Sequence, residues 1–140
     1  MFMIKEITPV EAWDILQSNV NAVVLDVRST MEFHYVGHPI GAVNVALKEP
    51  PAWEADPAFV DKVRSALHEV YGADVTEEDL TILSLCRSGQ RSMTAAQLLE
   101  AQGFNHVYNV LEGFEGERDG NNHRNTINGW RVRQLPWEQS

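Results

Sequence analysis

Leu80-Thr-Ile-Leu-Ser-Leu85 is a short apolar run, followed by the polar stretch Cys86-Arg-Ser-Gly-Gln-Arg-Ser92 and then by an amphipathic run from Met93 to Gln102. This order predicts a strand, a six-residue loop from Cys86 to Arg91, and a helix. A loop that ends a strand and begins a helix directs its N–H groups inward, and the helix dipole adds about half a positive charge there. Arg87 and Arg91 add further positive charge. We therefore expect Cys86 to be available as a thiolate near neutral pH, in a loop that binds anions.

The residues around Cys86 indicate whether it is a reactive cysteine or one that only fills space in the core. A single cysteine is often packing material, because its thiol behaves as a small apolar group. Arg87, Ser88 and Gln90 are poor core residues, so we expect that apolar neighbours do not enclose Cys86. Gly89 allows the backbone to turn its N–H groups toward a bound anion. These flanks favour a functional cysteine.

Composition and charge limit the classes of protein that fit. The chain has 140 residues, which we interpret as one domain spanning 1–140. Its net charge of −9 argues against nucleic acid or an anionic membrane as a partner. The start, from Met1 to Ile7, is too short and too soon charged for a signal peptide, and no apolar run approaches the length of a membrane span. One cysteine allows no internal disulfide, so we expect a cytoplasmic protein.

The rest of the chain alternates between helix and strand patterns. Thr8-Pro9-Val10-Glu11 and Ser29-Thr-Met-Glu32 are capping boxes that predict helices to about Ser18 and toward Tyr35. A third helix is predicted after Asp56-Pro57, and strands are predicted over 22–27, 42–45 and 106–110. Strands separated by helices predict an α/β fold with a parallel sheet. Ligands bind beyond the carboxyl ends of such strands, where Cys86 falls.

Three motifs, in this order along the chain, resemble the single-domain rhodanese sulfurtransferases. They are Leu25-Asp-Val-Arg28 with Glu32-Phe33 and Gly37 to Asn44, the active loop Cys86 to Ser92, and Gly103-Phe104 with Val107 to Gly113. Together they cover roughly residues 8–116, which leaves 117–140 as a carboxyl-terminal extension that we expect to pack on the domain. Gly113-Phe114 departs from the family, which often has two glycines there.

The resemblance implies a central parallel sheet of about five strands flanked by helices, and a ping-pong reaction. Cys86 would be the catalytic residue, taking a sulfane sulfur from an anionic donor such as thiosulfate and holding it as a persulfide. The acceptor would be cyanide, a small thiol or a sulfur-accepting protein. The active loop would bind the substrate and the persulfide through Arg87, Ser88, Gly89, Gln90, Arg91 and Ser92. The reaction as implied uses no cofactor.

The charged residues near the loop have structural alternatives. Arg91 either contacts the substrate or forms an ion pair with a carboxylate such as Asp26, and the sequence favours neither. Arg28 and Glu32 are expected to form a structural pair at the start of the second helix. Asp26, at the end of a strand, is a candidate for orienting the active loop.

Two further functions use the same cysteine. Cysteine phosphatases and arsenate reductases place one residue more between cysteine and arginine than the four here, and Leu85, not histidine, precedes Cys86. A shorter loop suits a single sulfur atom better than a tetrahedral oxyanion. A non-catalytic module that senses redox state is the other alternative, because a reactive thiol is readily oxidised.

The remaining histidines and aromatic residues are expected to be structural. His34 and His38 are four residues apart, but the break at Gly37 prevents a shared helical face, so we expect no metal site. Three large aromatic residues near the end of the chain are expected to cover an edge of the core, not to wall a pocket: Phe114, Trp130 and Trp137.

Overall fold

The computed structural model describes residues 4–140 and shows an α/β domain. The residues Met1 to Met3, which begin the stretch argued not to be a signal peptide, lie outside the described part. The helices are α1 Pro9–Ser18, α2 Phe59–Tyr71 and α3 Gln90–Ala101, with a π-helical turn at Glu32–Val36. The strands are β1 Lys5–Ile7, β2 Ala22–Asp26, β3 His38–Pro39, β4 Val43–Asn44, β5 Thr81–Leu85, β6 Val107–Val110 and β7 Trp137–Glu138. Within 4–140, no helix combines the length and the apolar character that a membrane crossing needs.

The five-stranded sheet has the order β1-β6-β5-β2-β4, and every pairing in it is parallel. This confirms the predicted fold class. The sequence pattern did not indicate β1, a three-residue edge strand that pairs with β6 from Lys5↔Tyr108 to Ile7↔Val110. β2 is buried throughout, and β5 is buried except at its first residue, as expected for central strands covered on both faces. Their register pairs Asp26 with Leu85, so the end of β2 lies beside the cysteine that follows β5.

Both predicted capping boxes are present. The Thr8 side chain accepts a hydrogen bond from the Glu11 N–H at 3.1 Å, and the Glu11 carboxylate accepts one from the Thr8 N–H at 2.9 Å. The second box makes the same reciprocal bonds between Ser29 and Glu32 at 3.2 and 3.3 Å. The second box also fixes the backbone of Glu32, whose carboxylate is used at the active loop.

The core has two layers, one on each face of the sheet, and the residues after 117 complete the second layer. Trp130 is fully buried there with Phe114, and its indole N–H donates to the Pro136 carbonyl at 2.9 Å. The expected packing role of these two aromatic residues is confirmed. Trp137, in β7, keeps 36% of its surface exposed and meets the edge of the Phe114 ring at 6.1 Å. β7 pairs antiparallel with β3, which ties the end of the chain to the segment after the π-helical turn.

Candidate active site

The active loop is shorter than the sequence predicted. α3 begins at Gln90, not at Met93, so the loop comprises Cys86 to Gly89, and Arg91 and Ser92 lie in the first helical turn. Gly89 is the N-cap of the helix and has a φ of 122°, a backbone conformation that residues other than glycine rarely adopt. The helix starts as soon as this turn is complete, which brings its first N–H groups next to the loop.

The sulfur of Cys86 has polar contacts but little exposure. The Gly89 N–H donates to Sγ at 3.1 Å, and the thiol donates to the Ser92 hydroxyl at 3.2 Å. Cys86 itself is only 2% exposed and belongs to one of the two core layers. The expectation that apolar neighbours do not enclose it is therefore wrong. β5 is the middle strand of the sheet, and the segment that includes Phe114 closes over its end, with the Phe114 N–H donating to the Cys86 carbonyl at 2.8 Å.

A chain of hydrogen bonds behind the sulfur reaches the edge of the sheet. The Ser92 hydroxyl donates to Asn109 Oδ1 at 2.5 Å. The Asn109 amide then donates to the Gly89 carbonyl at 3.2 Å and to the Glu6 carboxylate at 3.1 Å. Neither Asn109 nor Glu6 was predicted from the sequence. A buried asparagine inside an apolar strand is the signal that could have found Asn109, because buried polar groups need partners.

Arg91 is bound to Glu32 in a two-pronged ion pair at the mouth of the loop, with nitrogen–oxygen distances of 2.8 and 2.9 Å. Burial acts to raise the pKa of Glu32, but hydrogen bonds from Arg91 and Ser29 and the charge of Arg91 outweigh it and lower that pKa to about 2. The hydrogen bonds to Glu32 raise the pKa of Arg91 above its usual value, and the charge of Asp26 adds to this. Arg91 is thus ion-paired, but its partner is Glu32 and not Asp26.

Arg28 pairs with Asp26, so the expected Arg28–Glu32 pair is wrong. Arg28 Nη2 lies 2.6 Å from Asp26 Oδ2, and the same nitrogen donates to the Gly37 carbonyl at 2.6 Å. Both side chains are fully buried, and the guanidinium lies 4.7 Å above the Phe114 ring. The Asp26 carboxylate binds the backbone N–H and the guanidinium of Arg28, and its expected role in orienting the active loop stays a prediction. Sequence alone could not choose this pairing, because Asp26 and Glu32 are both within four residues of Arg28 along the chain.

Two arginines at the active loop face a cavity. Arg87 and Gln90 are exposed, Ser88 is half-buried, and Arg87 and Arg91 line a cavity of about 710 Å³ together with Glu32. The Arg87 carbonyl accepts hydrogen bonds from the N–H groups of Glu115 and Gly116 at 3.0 and 3.1 Å.

The turn that covers the loop depends on Gly113. A Cβ there would lie 2.5 Å from the Arg87 backbone, so this close approach of turn and loop requires glycine.

The two histidines considered for a metal have other partners. His34 Nδ1 is 2.7 Å from the Ser140 hydroxyl, and His38 Nδ1 is 2.9 Å from the Phe33 carbonyl. Within residues 4–140, no group of three or more His, Cys, Asp or Glu side chains is arranged to hold a metal ion.

The fold and this geometry define a class of protein: parallel α/β domains with a cysteine after a central strand, in a tight loop that opens a helix. A model of the rhodanese-like domain matches residues 8–117. The chain belongs to the rhodanese-like domain family.

Similar proteins extend over most of the chain. The thiosulfate sulfurtransferase GlpE of Actinobacillus succinogenes is 32% identical over 116 residues, which are 79% of this chain and 81% of that protein. An uncharacterised protein of Rickettsia rickettsii is 33% identical over 136 residues, or 96% and 98% of the two chains. The crystal structure of Rv0390 from M. tuberculosis superposes with a TM-score of 0.83 at 33% identity and covers 99% of this chain and 100% of that one. The last two matches include the extension after 117.

Proposed function

We propose that this protein is a sulfurtransferase that carries a sulfane sulfur as a persulfide on Cys86. The observation that carries the proposal is the position of Sγ, 3.1 Å from the Gly89 N–H at the beginning of α3. A persulfide is an anion, and N–H groups at the start of a helix stabilise negative charge. The relation to a protein named thiosulfate sulfurtransferase supports the same chemistry.

The reaction proceeds in two steps that balance without an added oxidant or reductant. The Cys86 thiolate attacks the outer sulfur of thiosulfate, a sulfur–sulfur bond forms, and sulfite leaves with the electron pair of the broken bond. The acceptor, which is cyanide, a small thiol or a sulfur-accepting protein, then attacks the outer sulfur of the persulfide. Cys86 leaves as the thiolate, and the cycle is complete.

The two alternatives have less support at this site. A phosphatase needs its arginine to bind the tetrahedral oxyanion, but both terminal nitrogens of Arg91 are bound to Glu32. A redox sensor would use the same thiol, and the 2% exposure of Cys86 restricts oxidants and sulfur donors alike. The relation to a protein named thiosulfate sulfurtransferase favours sulfur transfer over sensing.

The deciding experiment is incubation of the purified protein with thiosulfate, followed by intact mass measurement and a cyanide assay for thiocyanate. We expect one added sulfur on the wild type, its loss on addition of cyanide, and no added sulfur on Cys86→Ser. Ser92→Ala is the companion variant, because it keeps the thiol and removes one of its hydrogen bonds.

The outcomes distinguish the three functions, since a Cys86 that no sulfane donor loads would favour the redox sensor. Hydrolysis of an aryl phosphate without sulfur uptake would favour a phosphatase. Failure of thiosulfate and of organic sulfane donors to load Cys86 would reject the proposal.

A further inference from the structure

The cavity in front of the Arg91–Glu32 pair is far larger than thiosulfate or cyanide. Its volume of about 710 Å³ falls in the range of about 300–1,000 Å³ that is usual for small organic ligands. Most of its accessible wall is apolar and comes from Met31, Tyr35, Val36, Pro50 and Trp53. Met31, Tyr35 and Trp53 are 65, 79 and 48% exposed and line the same cavity, although soluble proteins rarely expose large apolar groups together.

Two cations of the cavity wall are uncompensated. Lys48 and Arg87 both line it, and neither takes part in an ion pair within the described part of the chain. Arg91, the third cation, is neutralised by Glu32. In a protein with a net charge of −9, a wall with two such cations marks a place for an anionic group.

The remaining carboxylate of the wall is Glu115, and Arg124 of the extension contacts the residue after it. Arg124 donates to the Gly116 carbonyl at 2.6 Å, one residue from Glu115. Burial is the main cause of the lowered pKa of Arg124. The charge of Arg87 lowers this pKa further, and the charge of Glu115 opposes both effects. The wall itself has three cations, Lys48, Arg87 and Arg91, against two carboxylates, Glu32 and Glu115, so its net charge is positive.

We propose that this cavity binds an organic sulfur compound that has an apolar body and an anionic group, and that exchanges sulfur with Cys86. The body packs on Trp53 and Tyr35, and the anionic group binds Lys48 and Arg87. Lys48 and Trp53 are thus specificity-determining residues that the sequence pattern did not indicate. This inference rests on the proposed function.

The same chemistry fits two kinds of compound. A thiol acceptor attacks the outer sulfur of the persulfide, so that its own sulfur gains the bond and Cys86 leaves as the thiolate. A thiosulfonate donor is attacked by the Cys86 thiolate at its outer sulfur, and a sulfinate leaves with the electron pair. Both compounds present an anionic group or a thiolate on a carbon body.

The test compares matched thiols as acceptors from the preformed persulfide. The probes are benzyl mercaptan with a para-carboxylate, its neutral para-carboxamide, and mercaptoacetate, which has the charge without the ring. We expect Lys48→Gln to raise the KM of the carboxylate about 5- to 10-fold more than that of the carboxamide, as loss of one partly buried charge contact predicts. We expect Trp53→Ala to raise the KM of both benzyl thiols about 10-fold more than that of mercaptoacetate, with partial rescue by Trp53→Phe.

Lys5→Gln is the control, because it makes the same change of charge at an exposed residue of β1 that does not line the cavity. The inference is overturned if Lys48→Gln leaves the ratio of the carboxylate and carboxamide KM values unchanged, or if Lys5→Gln changes it equally. Benzenethiosulfonate with a para-carboxylate, compared with its para-carboxamide, forms the second arm of the experiment as the donor. A Lys48 or Trp53 effect confined to that arm would assign the cavity to the donor, and an effect confined to the thiols would assign it to the acceptor.

A measurement without catalysis separates this inference from the proposed function. Calorimetric titration of Cys86→Ser with the para-carboxylate thiol should show binding that Lys48→Gln weakens about 5- to 10-fold. If Cys86 takes up no sulfur but this binding is present, the sulfurtransferase proposal fails and the cavity assignment stands. If sulfur transfer occurs and this binding is absent, only the cavity assignment fails.

Discussion

Two arginine–carboxylate pairs lie at the carboxyl ends of the central strands, and they differ in their contact with water. In the pair of Arg28 and Asp26 both side chains are fully buried, with a shortest distance of 2.6 Å. In the pair of Arg91 and Glu32 both side chains are 18% exposed, at 2.8 Å. The difference matters because burying two charges costs several kcal/mol, which their attraction offsets only when the remaining donors also find partners.

The buried pair is incomplete in this respect. Arg28 Nη1 is buried without a hydrogen-bond partner, while Nη2 binds both Asp26 and the Gly37 carbonyl. The guanidinium also lies over Phe114. This pair therefore serves to hold β2, Gly37 and the covering turn in one arrangement, and adds little net stability. The partly exposed pair of Arg91 and Glu32 instead joins the start of α3 to the π-helical turn. It uses both terminal nitrogens of Arg91.

The largest expected effect is that of breaking the buried pair from one side. Arg28→Met should lower the free energy of unfolding by about 3–5 kcal/mol, because it leaves the Asp26 carboxylate buried and unpaired. Urea unfolding followed by circular dichroism measures this change.

The double variant Asp26→Leu with Arg28→Met is the matched control. Removal of both charges should restore most of the lost stability, since no uncompensated charge remains. A single variant that loses less than about 1 kcal/mol would show that the buried pair does not constrain the fold.

Breaking the partly exposed pair of Arg91 and Glu32 should have a smaller effect on stability and a measurable effect on substrate binding. Glu32→Gln should lower the free energy of unfolding by about 1–2 kcal/mol, because water can still reach Arg91. The KM for thiosulfate should fall about 2- to 5-fold, since the variant removes a negative charge beside the loop.

Glu78→Gln is the control, because it removes the same charge from an exposed residue just before β5, at the opposite end of that strand from Cys86. An unchanged KM in Glu32→Gln would mean that the field at the mouth does not influence the donor.

The smallest effect concerns pH. The pKa of Glu32 is about 2 in the folded protein and 4.5 ordinarily, so the unfolded chain takes up the proton at higher pH than the native one. The contribution of the pair is therefore present in full above pH 4.5 and is lost as the pH falls from there toward about 2.

After allowance for screening at this partly exposed site, the loss is on the order of 1–2 kcal/mol. Unfolding of the wild type and of Glu32→Gln should be compared over this range. Other carboxylates also titrate there, but they cancel in the difference. A gap between the two proteins that stays constant as the pH falls would contradict the assigned pair.

Local patterns predicted the elements well. The capping boxes at Thr8 and Ser29, the apolar run of β2 and the strand–loop–helix around Cys86 all rest on neighbours in sequence, and such neighbours interact whatever the fold. β1 was missed because three residues are too few to show a period. The start of α3 was placed three residues late because polar side chains fill its first turn.

Pairings between distant residues could not be predicted in the same way. The carboxylate partner of Arg91 depends on how the π-helical turn packs against α3. Glu32 and Arg91 are 59 positions apart in the chain. Cys86 is buried in a core layer built from distant parts of the chain, and the position of Lys48 and Trp53 at the cavity depends on where the irregular segment after β4 folds. Each of these contacts is a tertiary one that no local pattern encodes.

The Ser92 hydroxyl has a single hydrogen for two neighbouring acceptors. In the thiol form it gives that hydrogen to Asn109 and accepts one from Cys86. Once the sulfur has lost its own hydrogen, Sγ and Asn109 Oδ1 compete for the one that remains. The side-chain amide of Asn109, which also binds Gly89 and Glu6, therefore senses the chemical state of the sulfur. Its nuclear magnetic resonance signal would serve as a built-in reporter that distinguishes thiol, thiolate and persulfide without a label on the cysteine.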